Sequence, residues 1–144
     1  MNWNEKCMLD LTHHNLFEDN AHRIRFRDLL NCYYGAAFFT KGLCKCMYLS
    51  CWDEEHFAIM LEILNEMTLD GDKNLNMMKD QGEIMVQSSV GFENVVLRLS
   101  NAFLNDTFFE MPDLGVMNPE GAHMIRQAVK AAEYIEELPE VHEE

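Results

Sequence analysis

Residues 43–56 read LCKCMYLSCWDEEH, three cysteines and a histidine packed into a short run. Two readings of this stretch imply different molecules. In the first, Cys44, Cys46, Cys51 and His56 form a metal site with the spacing C-x-C-x4-C-x4-H. Zinc takes four thiolate or imidazole ligands in a tetrahedron, so the four would bind a structural zinc that clips an irregular 35–52 segment to the helix starting at Asp53. Lys45 and the positive end of that helix would favour ionised thiolates. In the second reading the cysteines are small buried hydrophobes, because free cysteine is among the most buried residue types. If 43–51 were a strand, Cys44 and Cys46 would share one face and Cys51 the other, which spoils the site. His13, His14 or His22 can stand in for one ligand, with Cys7 further upstream. A lone histidine on an apolar helix face, such as His22, otherwise reads as a hydrogen-bonded core residue.

Outward from this stretch, the periodicity is mostly helical. In DNAHRIRFRDLLNCYYG, His22, Phe26, Leu29, Leu30 and Tyr33 share a face, Asp19 or Asn20 caps, and Gly35 is a stop. AAFFTKG predicts a short helix through Phe39 and a turn near Gly42. From Asp53 a capped helix carries Phe57, Met60, Leu61, Leu64 and Met67 on its apolar stripe, and LDGDKN ends it. GEIMVQSS (82–89) predicts a strand, with Ile84, Met85 and Val86 between turn-forming residues. Further helices run from about Phe92 to Asn105 and from Asn118-Pro119 onward, a cap followed by proline at the first helical position. NDTFFEMPDLGVMNPEG (105–121) joins them and is apolar enough to pack on the body. The expectation is one mostly α domain over 1–144, a compact helical body of four to five helices with at most a small β element. Residues 1–14 and 138–144 are expected to be flexible or peripheral.

The 144 residues carry 25 acids against 11 lysines and arginines, a net charge of −14. A surface this acidic repels phosphate backbones, so direct nucleic-acid binding is disfavoured. It either keeps the protein soluble or suits a basic partner, whose approach it steers. No run approaches the roughly 18 apolar residues of a membrane helix. The N-terminus lacks a basic start and apolar stretch, so the sequence predicts no export and a cytoplasmic location. The odd cysteine count fits reduced thiols.

Signatures of catalysis are absent. DGDKNLN fails as a calcium loop, with Leu75 where glycine is required and Gln81 where glutamate is required. There is no G-x-S-x-G, phosphate loop or G-x-G-x-x-G, so a non-catalytic protein is expected. Arg23, Arg25 and Arg27 rotate round their helix and read as a solvated face bonding to nearby acids. Trp52 and the aromatics of 107–111 read as core packing or partner anchors.

LFEDNAHRIRFRDLL, with His22 and Phe26 in an H-x3-F arrangement, followed by SSVGFENVVLRLSNAFLND and a closing helix, resembles short proteins of firmicute prophages and mobile elements. In character these are similar to type II anti-CRISPR proteins. The resemblance implies a stoichiometric inhibitor that covers a basic nucleic-acid-binding surface of a host protein, such as the type II RNA-guided nuclease, and blocks DNA loading. The alternative expectation is a regulatory or toxin–antitoxin-like interaction domain.

Overall fold

The computed structural model describes residues 1–69, 75–113 and 117–141. DGDKN at 70–74, read above as a polar helix exit, lies outside the described residues, as do 114–116 of the 105–121 connection and the last three residues. Among the described residues there are seven helices and no strand: α1 (Trp3–His13), α2 (Asn20–Tyr33), α3 (Lys41–Ser50), α4 (Glu54–Leu69), α5 (Leu75–Ser88), α6 (Gly91–Asn105) and α7 (Pro119–Glu136). The mostly α class stands, while the count of four to five helices is corrected to seven among the described residues.

The stretch opening at Leu43 is the centre of the molecule. Every residue from Leu43 to Leu49 is buried, Lys45 included. A helix apolar all round belongs inside a domain. Accordingly α3 packs against α2, α4, α6 and α7. Thr40 Oγ1 accepts from the Leu43 N–H at 3.1 Å and starts the helix. Gly42 is therefore not in a turn but in the first turn of α3. A Cβ there would run into the backbone carbonyl of Phe103, whose carbon would sit only 3.2 Å away, so glycine marks where α3 crosses α6. The short helix expected through Phe39 is absent; 34–40 is irregular, with Phe39 buried against Trp3 edge-to-face at 5.5 Å.

Buried Lys45 meets Glu136 of α7 at 2.7 Å. Lys41 reaches the C-terminal end of α7, donating to the carbonyls of Glu136 at 2.9 Å and Leu138 at 2.6 Å. These contacts satisfy carbonyls at the negative end of a helix dipole. Residues 1–14, expected to be peripheral, carry α1, which buries Trp3, Cys7 and Leu11 at i, i+4 and i+8. Trp3 Nε1 donates to the Pro139 carbonyl at 2.7 Å, so the N-terminal helix and the segment after α7 hold each other.

The expected strand at 82–89 is the C-terminal half of α5. Ile84, Met85 and Val86 are strand-prone residues, but Leu75, Met78, Gly82 and Val86 recur at helical spacing. Packing decides, because Gly82 lets α5 lie directly on the Asn101 side chain of α6, whose Cγ would be 3.1 Å from an added Cβ. Asn94 Nδ2 then donates to the Val86 carbonyl at 3.0 Å near the end of α5. No helix among the described residues is long and apolar enough to cross a membrane.

Candidate interaction cleft

The structure does not gather the predicted zinc ligands. On a helix, Cys44 and Cys51 are two turns apart on one face, while Cys46 lies about 200° round from Cys44. Cys44 meets Cys7 of α1. Cys46 Sγ donates to the Ser100 carbonyl of α6 at 3.2 Å. Cys51 caps α3, where Arg25 Nη1 donates to its carbonyl at 3.2 Å. Burial pushes all three thiols up, Cys44 further through Cys7; Lys45 opposes the shift at Cys46, and Arg25 and Ser50 oppose it at Cys51. Protonated thiols suit a packed core. Among the described residues, no three His, Cys, Asp or Glu side chains are grouped to hold one metal ion.

The substitute ligands are engaged elsewhere. His22 is fully buried, with Nδ1 accepting from the Glu18 N–H at 3.1 Å and Nε2 within 2.9 Å of the Tyr48 carbonyl. That pairing places the proton on Nε2 and leaves a neutral ring. Burial lowers its pKa, with the Tyr48 carbonyl and Asp19 opposing and Arg25 adding to the shift. His14 stacks on Tyr134 with ring centroids 4.0 Å apart and lies edge-on to His13.

His56, the fourth predicted ligand, stands at a different feature. Asp53 Oδ1 accepts from its backbone N–H at 2.8 Å and lies 2.7 Å from Nδ1, while Glu93 of α6 lies 3.1 Å from Nε2. Its ring packs beside Trp52, which in turn meets Phe92 edge-to-face. His56 and Glu93 line an otherwise largely apolar cleft of about 110 Å³ between α4 and α5. Ile59, Met60 and Ile63 make the α4 wall, Met78, Gly82 and Met85 the α5 wall, and Val96, Leu97 and Leu104 of α6 part of the floor.

The two walls differ in what they carry above the cleft. On α4, Glu55, Ile59, Glu62 and Glu66 are spaced by four, three and four residues, so they form one stripe. All four are exposed. No lysine or arginine occurs between Lys45 and Lys73, so beyond His56 at its first turn every charged side chain of this wall is an acid. On α5, Met77, Ile84 and Met85 are exposed and continue the apolar surface outward. An apolar trough with one acidic lip is thus open to solvent.

The basic cluster on α2 is spent locally. Arg23 bonds Asn20, Arg25 reaches Glu54 at 3.7 Å, and Arg27 lies 3.4 Å from Asp28. In the 107–111 loop Phe109 packs partly against the core, while Phe108 is 91 % exposed.

Comparison with known protein families, curated proteins and solved structures gives no match to this chain. The cleft was hidden in the sequence by the strand reading of 82–89. The signal that locates it is the spacing Met78, Gly82, Met85, which puts all three on one helical face.

Proposed function

We propose that this protein acts without catalysis, by binding a basic surface on another protein. The observation that carries the reading is the exposed acidic stripe Glu55, Glu62 and Glu66 on α4, within a chain of net charge −14. Such a stripe attracts a lysine- and arginine-rich surface that otherwise holds nucleic acid. The side-chain chemistry supports a non-catalytic role. Burial raises the pKa of the Cys44, Cys46 and Cys51 thiols, and the hydroxyls of Ser50, Thr68, Ser88, Ser89 and Ser100 each donate to a carbonyl three or four residues back.

The resemblance to mobile-element proteins gives this reading its specific form, an inhibitor that occupies the DNA channel of a type II RNA-guided nuclease. In a test, guide-loaded nuclease is incubated with the protein and then offered target DNA. The expected result is a stoichiometric complex that takes up no DNA; full DNA loading with the protein in excess contradicts it.

A further inference from the structure

We propose that the α4/α5 cleft is the seat of one helix of the partner: an amphipathic helix with apolar residues on one face and lysine or arginine beside them. The inference rests on the reading that the acidic surface binds a basic protein, and it names the element that enters.

Three features define the occupant. First, most of the lining is apolar, Met60, Met78 and Met85 included, with Gln81, Ser100 and Asn101 among the polar side chains in it. Methionine is unbranched and polarisable, and it adapts to differently shaped apolar side chains. Second, the cavity holds about 110 Å³. A cavity of roughly 150 Å³ accepts benzene, so this smaller one takes a single aliphatic side chain as an anchor. Exposed Ile59 and Met85 extend the contact surface on either side of it. Third, the α4 lip from Glu55 to Glu66 runs for about 16 Å, or three helical turns. A helix in the trough that presents apolar residues at i, i+3 or i+4, and i+7 would place its flanking cations along that lip. Glu93, half-exposed at the His56 end, adds one more acid. Nucleic acid is repelled by the same carboxylates, and a second copy of so acidic a chain is disfavoured by like charge.

The α5 wall also suits a helix that must be admitted. No residue of α5 is buried, and its packing is on α6. A wall with so little buried surface adjusts at small cost when the trough fills.

The experiment uses the intact protein and two Leu/Lys peptides of roughly four helical turns. One has leucine on a single helical face; the other is its scrambled isomer of equal charge. Amide chemical shifts report the site and anisotropy the affinity. The facial peptide is expected to bind about tenfold more tightly than its isomer, a difference of about 1.4 kcal/mol. Its shifts should fall on Ile59, Ile63, Met78 and Met85. Replacing exposed Ile59 and Met85 by serine should remove that advantage while the fold is retained. Equal binding of both peptides overturns the cleft assignment and leaves the charge reading intact. Binding of neither at low salt overturns both. Shifts confined to another surface, or concentration-dependent shifts in the cleft of the free protein, also overturn the assignment; the latter would name a second copy as occupant.

Discussion

His56 Nε2 lies 3.1 Å from Glu93 Oε2 and joins the first turn of α4 to the first turn of α6. Asp53 faces the other ring nitrogen at 2.7 Å, so the imidazolium, which donates from both nitrogens, is the form that satisfies both partners. Partial burial opposes that charge, but the bonds and charges of Asp53 and Glu93 outweigh it and raise the pKa. A raised folded-state pKa contributes stability that is fully present below about pH 6.5 and is lost as pH rises through the folded value. We therefore expect His56→Gln to lower stability by about 0.5–1 kcal/mol at pH 5.5 and to cost progressively less above pH 7. Thermal melts of both proteins across that range check this.

His22 behaves in the opposite sense. Its pKa is lowered chiefly by burial, so its contribution is present above about pH 6.5 and declines as pH falls through that value toward the folded-state pKa. In an NMR titration of the ring protons, His56 should show a midpoint above 6.5 and His22 one below it. The reverse order would contradict the hydrogen bonding described for both rings.

The cysteines give a prediction about chemistry. Cys32 is exposed, whereas Cys7, Cys44, Cys46 and Cys51 are buried. A thiol-reactive dye should label one cysteine rapidly in the native protein and all five in denaturant. Added chelator should leave the melting temperature unchanged. Stoichiometric zinc lost together with stability would overturn the packing described for α3.

Gly42 and Gly35 form a matched pair. Replacing an exposed helical glycine by alanine gains up to about 1 kcal/mol. At Gly42 the new methyl meets the Phe103 backbone, which cannot rotate away, so Gly42→Ala should instead destabilise by about 1–3 kcal/mol. Gly35 has open space around it, and Gly35→Ala should stay within about 0.5 kcal/mol of wild type. Urea unfolding of both variants measures the difference.

Hydrogen exchange should rank the helices by burial. α3 is buried over most of its length, whereas no residue of α5 is fully buried and Leu75 and Met78 are only partly covered. Amides of α5 should exchange at least about 100-fold faster than those of α3. Equal protection would mean that α5 is held more firmly than its packing on α6 explains.

Caps and stripes made much of this fold legible. Asp53 before a stripe of Met60, Leu64 and Met67, and Asn118-Pro119 before Ile125 and Ala128, placed two helices correctly because local chemistry and core burial agree there. Residues 41–50 were harder, since a helix buried on every side has no polar face and so no period to read. Glycine misled in two ways. Gly42 resembles a turn residue, yet its role is a close helix crossing visible only once α6 is in place. At 82–89, strand-prone side chains outweighed the helical spacing of Met78, Gly82 and Met85, and the cleft was lost with that helix. Spacing makes His56 a candidate zinc ligand, and the structure adds two carboxylate partners, of which Glu93 is distant in sequence.

The most direct measurement is the affinity of the type II nuclease for this protein and for its Glu55→Gln, Glu62→Gln, Glu66→Gln triple variant, each at low and at moderate salt. The acidic-lip account predicts tight, salt-sensitive binding by the wild type, with at least a tenfold weaker and less salt-dependent complex for the variant. Equal affinities for the two proteins, or no complex with either at low salt, would contradict it.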